Sequence, residues 1–97
     1  MTGSAGEPVL QRDVTIVNVQ GLHARAAKQF VETARRFEAH ITVAKGRQIV
    51  DAKDIWDVMT LAAERGTALV LRGRGADAEE ALDALDALIK AKFHEEQ

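Results

Sequence analysis

Val19-Gln20-Gly21-Leu22-His23-Ala24-Arg25-Ala26-Ala27-Lys28 joins a β-like run to a helix-like run. Upstream, Val14, Ile16 and Val19 are β-branched, as a strand prefers. Downstream, Ala27, Phe30, Val31, Ala34 and Phe37 recur at helical spacing. Gly21 supplies backbone freedom at the turn between the two runs. His23 therefore falls at or just before the first helical turn, where backbone N–H groups lack intrahelical partners. Those donors, at Ala24 and Arg25, and the positive end of the helix dipole suit a phosphate or another anion. Arg25 adds a permanently charged donor fork. One segment thus offers an imidazole nucleophile, amide donors and a cation, a combination suited to carrying a phosphoryl group on histidine. A lone histidine in an arbitrary domain is more often a turn or capping residue without chemistry, and only the specific wording of the whole motif tells against that reading here.

Outward from this stretch, the chain reads as βαββαβα. Met1 to Pro8 is small and polar, has no apolar face to bury, and is expected to be a mobile tail. Residues 9–97 are expected to form a single domain. The first strand is predicted from near Leu10 to about Val19, with Val14 and Ile16 on a buried face. The first helix is predicted from about Ala24 to Ala39, with Lys28, Gln29, Glu32, Arg35 and Arg36 on its outer face. Ile41–Ala44 and Gln48–Val50 read as a hairpin about the turn Lys45-Gly46-Arg47. A second helix is predicted from about Asp54 to Ala63, ended by Arg65-Gly66, with glycine supplying a positive φ. Ala68 to Leu71 is almost continuously apolar, so this strand is expected inside the sheet, closed by Gly73-Arg74-Gly75. In the third helix Asp77 and Glu80 have capping-box spacing, and Ala78, Ala81, Leu82, Leu85, Leu88 and Ile89 form an apolar stripe. Lys92 to Gln97 reads as a polar tail apart from Phe93. The pattern predicts an α+β fold with helices on one face of an antiparallel sheet.

Composition narrows the chemistry. At 97 residues the chain can build one modest two-layer core. Hydrophobic residues make up 46% and charged residues 29%, the balance of an ordinary soluble globular protein. Cysteine is absent, which excludes disulfide scaffolds, thiolate metal sites and cysteine nucleophiles. No apolar run approaches the ~20 residues of a membrane span, and the N-terminus lacks a signal-peptide pattern. The expected location is cytoplasmic, with no membrane partner. Net charge is −2, and the strands lack interleaved aromatics, so the Arg72/Arg74 pair does not suggest a nucleic-acid binder.

Gly21-Leu22-His23-Ala24-Arg25-Ala26-Ala27 followed by a helix resembles the active-site signature of HPr, the histidine-containing phosphocarrier of the bacterial phosphotransferase system. The usual family wording is Gly-(Ile/Leu)-His-Ala-Arg-Pro-Ala. The resemblance continues through Gln29-Phe30-Val31, Ile41-Thr42-Val43, the Asp51-to-Leu61 segment and Gly66-Thr67, covering roughly Asp13 to Leu88. It implies an open-faced sandwich with sheet order 1-4-2-3, which periodicity alone does not order. It implies phosphorylation at Nδ1 of His23, with Arg25 on the phosphoryl oxygens. Ala26 departs from the family's proline; alanine keeps the helix but does not pre-set φ at its start. The resemblance also implies a carrier, not a turnover enzyme. Its partners would be enzyme I, which is phosphoenolpyruvate-dependent, and enzyme IIA-type acceptors.

Phosphoryl transfer depends mainly on positioning and charge stabilisation, which a helix start and an arginine can supply without a metal. The histidines have no close ligand spacing, and no metal or cofactor is expected. His40 and His94 read as solvated surface residues. Asp54 stands where many HPr proteins have a regulatory serine; its simplest role is the N-cap of the second helix. That helix is more apolar than one buried stripe requires. Val58 and Leu61 are expected in the core, and Trp56 and Met59 on a docking surface. The partner interface is expected to comprise Ala24, Gln29, Ile55, Trp56, Met59 and Thr60. A monomer is expected. A regulatory protein-binding module without phosphoryl transfer is the alternative, and His23 with Arg25 counts against it. The residues leave sugar uptake and nitrogen or stringent-response regulation equally open.

Overall fold

Burial alternates along both Leu10–Thr15 and Ala68–Arg74, so each strand turns one face to a common core. The computed structural model describes residues 8–95. Its elements are β1 (Leu10–Thr15), α1 (Ala24–Arg35), β2 (His40–Lys45), β3 (Gln48–Asp51), α2 (Ile55–Thr60), β4 (Ala68–Arg74) and α3 (Ala78–Lys90), followed by a 3₁₀ turn at Lys92–His94. The strands form one antiparallel sheet in the order β1-β4-β2-β3. β4 is thus interior, between β1 and β2, as its apolar run requires.

Register aligns one apolar layer across the sheet. Val14 stands opposite Leu69, and Leu71 opposite Val43. These residues are buried together with Phe30, Val31 and Ala34 of α1, Val58 of α2, and Leu82, Leu85 and Ile89 of α3. The three helices cover this face, giving an open-faced sandwich. Among the described residues no helix is long and apolar enough to cross a membrane. Of the expected mobile segment Met1–Pro8, only Pro8, which is exposed, lies within the described residues.

Several predicted ends shift, each for a local reason. β1 ends at Thr15, not Val19. Asn18 is buried and its side-chain Nδ2 donates to Gly21 O at 2.8 Å, so a turn replaces the strand's last residues. α1 ends at Arg35, not Ala39. Its final turn tightens as Arg36 N–H donates to Thr33 O and Phe37 N–H to Ala34 O. The next two amides, Glu38 and Ala39, donate to the carboxylate of Asp77 at 2.9 and 2.8 Å. That use of Asp77 also corrects the capping box. Asp77 makes no side-chain bond to its own helix and instead joins the end of α1 to the start of α3. Its carboxyl is held below the usual range, first by the Glu38 amide and against partial desolvation.

α2 is shorter than predicted, Ile55–Thr60 rather than Asp54–Ala63. Ala62, with φ 48°, is the left-handed residue that follows the helix. Gly66 also has positive φ, but it serves a separate turn that leads into β4, where its N–H donates to Ile16 O. β4 in turn runs through Gly73 to Arg74, beyond the predicted Leu71. The largest correction is at the C-terminus. Phe93 is 1% exposed and belongs to the core, so residues 92–95 are packed structure and not a polar tail. Glu96 and Gln97 lie outside the described residues.

Candidate functional site

The turn before α1 is built by Asn18 and Gly21. Gly21 N–H donates to Asn18 O at 3.1 Å, and Leu22 N–H donates to Ala63 O at 2.8 Å, tying the turn to the segment after α2. Gly21 has φ 69°, and a Cβ there would lie 2.6 Å from Ala63 O. Both facts require glycine. The chain then enters α1 with His23 as N-cap in extended conformation (φ −72°, ψ 179°), and no side chain caps the helix. Ala27 N–H is bonded to His23 O at 2.7 Å. The amides of Ala24, Arg25 and Ala26 precede it and have no intrahelical acceptor. Ala24 and Arg25 are exposed, whereas Ala26 and Ala27 are buried under the sheet's covering layer.

The imidazole of His23 is partly exposed and does not stand alone. Its Nε2 lies 2.5 Å from Oε2 of Glu95. The other Glu95 oxygen accepts from Asn18 Nδ2 at 3.1 Å. One amide group therefore ties the turn to the carboxylate. Gln29, predicted on the outer face of α1, is half-buried, and its Nε2 donates to Phe93 O at 3.2 Å. The Glu95 carboxyl is pushed below the ordinary range. The His23 hydrogen bond is the leading cause, desolvation opposes it, and Asn18 and the charge on Arg25 reinforce it. Among the described residues Nδ1 of His23 has no hydrogen-bond partner. A histidine held through Nε2 beside uncapped amides and an exposed arginine can receive an anionic group on its free nitrogen.

A family model described as the PTS HPr component phosphorylation site matches residues 10–91. The chain belongs to the HPr family. It is 45% identical over 87 residues to the phosphocarrier protein HPr of Cupriavidus necator, covering 90% of this chain and 98% of that relative. It is 43% identical over 86 residues to the phosphocarrier protein NPr of Shewanella violacea, covering 89% and 94%. The structure of HPr-C-His from Thermoanaerobacter tengcongensis superimposes with a TM-score of 0.88 at 42% identity, over 91% of this chain and 99% of that one. HPr proteins are phosphocarriers of the bacterial phosphotransferase system, and the 1-4-2-3 sheet implied by the HPr resemblance is the order observed.

Asp54 is the N-cap of α2. Its side chain accepts from Trp56 N–H at 2.9 Å and Asp57 N–H at 3.1 Å. Asp54→Ala is expected to lower stability by about 0.5–2 kcal/mol, and Asp54→Ser to retain most of it. Urea denaturation of the two variants checks this. Around that cap, Trp56 is 75% exposed and Met59 37%, whereas Val58 and Leu61 are fully buried. Ile55 is half-buried against the core. Thr60 is exposed, and its hydroxyl accepts from Gln48. His40 and His94 are both exposed, as predicted.

The residues that sequence reasoning missed are Asn18 and Glu95. Signals for both exist. An asparagine three residues before a glycine marks a turn, and a single phenylalanine in a polar tail marks an anchor. Neither signal says that the anchor delivers its neighbour Glu95 to His23.

Proposed function

We propose that this chain accepts a phosphoryl group on Nδ1 of His23 from a phosphoenolpyruvate-dependent enzyme I and passes it to enzyme IIA-type proteins. It acts in the bacterial cytoplasm as a monomer and needs no cofactor. The observation that carries the reading is the uncapped start of α1, with His23 at its N-cap and exposed Arg25 two residues on. The phosphoryl oxygens are received by the amides of Ala24 and Arg25 and by the Arg25 guanidinium. The chain's role is in sugar uptake or in nitrogen or stringent-response regulation, and the HPr and NPr relatives, matched at 45% and 43% identity, do not choose between the two. The test is incubation with phosphoenolpyruvate and each candidate enzyme I, followed by transfer to candidate IIA acceptors.

Arg25 acts on moving phosphoryl charge more than on docking. Arg25→Ala is therefore expected to slow single-turnover transfer while leaving enzyme I affinity nearly unchanged. An unchanged transfer rate would make Arg25 a surface residue only.

The partner surface comprises Ala24, Gln29, Ile55, Trp56, Met59 and Thr60, centred on Trp56. An aromatic side chain three-quarters exposed beside an adaptable methionine has the composition of a binding hot spot. Trp56→Ala is expected to weaken enzyme I or IIA binding by about 2 kcal/mol or more, with little change in unfolding. Titration calorimetry paired with a denaturation curve separates this from a packing role. Regulatory proteins are further candidates for the same surface. Asp54 offers no hydroxyl, so an HPr-kinase-type enzyme is expected to leave this position unmodified.

A further inference from the structure

The sheet face turned away from the helices is cationic at one end. Side chains alternate along β4, so Val70, Arg72 and Arg74 share that face with His40 and Thr42 of β2 and Gln11 of β1. Arg72 stands opposite Gln11 on one side and Thr42 on the other, and Arg74 stands opposite His40. Here the surface forms a hollow of about 170 Å³, lined by Val9, His40, Thr42, Arg72, Gly73 and Arg74. Among the described residues no carboxylate lines it.

We propose that this hollow binds the phosphate group of a small phosphorylated molecule, held by the guanidinium groups of Arg72 and Arg74 with His40 and Thr42 as further donors.

The charge pattern of the strands favours an anion there. Like charges directly opposite each other destabilise a strand pair, and Arg74 is set against His40, which adds its own charge whenever the ring is protonated. Acids across the strand would offset such cations on a merely solvated face. The acids of this face stand elsewhere. Asp13 is opposite Val70 and Asp51 is opposite Thr42, where its Oδ1 accepts from the Lys53 amide at 2.9 Å. Among the described residues neither Arg72 nor Arg74 forms an ion pair. On a chain of net charge −2, this end of the sheet is a local field of the opposite sign.

The donors are also arranged. Arg72 is half-buried, and its Nε donates to Gln11 Oε1 at 3.2 Å. That bond braces the guanidinium and leaves its two terminal nitrogens to a ligand. Less side-chain freedom is then lost on binding. Arg74 supplies a second fork two residues on, about 7 Å along the strand. Such forks match the oxygens of a phosphate in pairs. The Thr42 hydroxyl donates as well, and an imidazole presents at least one N–H in either charge state.

Size selects the class of occupant. Clefts for drug-sized ligands run to roughly 300–1,000 Å³, so this smaller hollow suits a compact anion and not a length of chain. Val9 adds an apolar wall against which the carbon atoms of a phosphate ester can rest. Because the helices cover the other face of the sheet, an occupant here leaves His23 and Trp56 accessible.

The test is a ¹⁵N NMR titration of the full chain at constant ionic strength, with inorganic phosphate, then glycerol phosphate, then vesicles of phosphatidylglycerol and a single-stranded oligonucleotide. Both small anions are expected to give saturable shifts at the amides of His40, Thr42, Arg72 and Arg74, half-complete at about 1 mM or below. Arg72→Gln and Arg74→Gln are each expected to raise that concentration by about tenfold or more, whereas Arg47→Gln, in the exposed turn between β2 and β3, leaves it unchanged. The start of α1 is a separate anion acceptor, reported by the Ala24 and Arg25 amides, so failure of this site and failure of the His23 reading are distinguishable. Shifts confined to Ala24 and Arg25, a response that never saturates, or an equal loss in Arg47→Gln would each overturn the proposal. So would vesicles or the oligonucleotide binding this face where the small anions do not.

Discussion

Replacing His23 with alanine is expected to abolish phosphoryl carriage and leave the fold intact. The imidazole is part-exposed at the helix start, and its side-chain bond is to Glu95, so removing it opens no core cavity. The fold around it rests on buried neighbours. Leu22, Ala26 and Ala27 are each 5% exposed or less, and the turn rests on the Asn18, Gly21 and Ala63 backbone bonds. Carriage, by contrast, has no substitute nucleophile there, because the adjoining Ala24 and Arg25 have none to offer. Phosphotransfer assays and a denaturation curve on the same sample separate the two effects. Residual transfer near the wild-type level would place the acceptor elsewhere.

Replacing Phe93 with alanine is expected to lower stability by about 3–5 kcal/mol, the usual cost of deleting a large buried aromatic. Phe93 is among the largest fully buried side chains of the protein, beside Phe30 and Ile16. Its loss also frees the turn that carries Glu95, so the His23 ring should lose its Nε2 partner in the same variant. Urea denaturation measures the first effect, and ring-nitrogen spectra measure the second. A loss no greater than that of an exposed-site substitution would return this segment to the status of a tail.

Much of this architecture was legible because it depends on periodicity. The alternation of Val14 and Ile16, the stripe of Phe30, Val31 and Ala34, and the continuous run Ala68–Leu71 each identify an element and its buried face. The order of the strands came from the resemblance of the His23 motif and not from the pattern itself. The N-cap role of Asp54 was legible because its bonds are local in sequence. Asp77 was misread for the opposite reason. Its carboxylate serves amides 38 and 39 residues away, which no local spacing reports. The end of α2 was misplaced because Ala62 adopts the left-handed conformation that Gly66 was expected to supply. At the candidate site, His23 and Arg25 were apparent from sequence, whereas Glu95 was not. It lies 72 residues from His23 and reaches it only because Phe93 is held in the core.

The most direct test of His23 as a phosphoryl carrier is phosphosite mapping after incubation with phosphoenolpyruvate and enzyme I. The expected product carries one phosphate, on His23, labile in acid and stable in alkali as a phosphoramidate is. A stable ester on serine or threonine, with His23 unmodified, would contradict it.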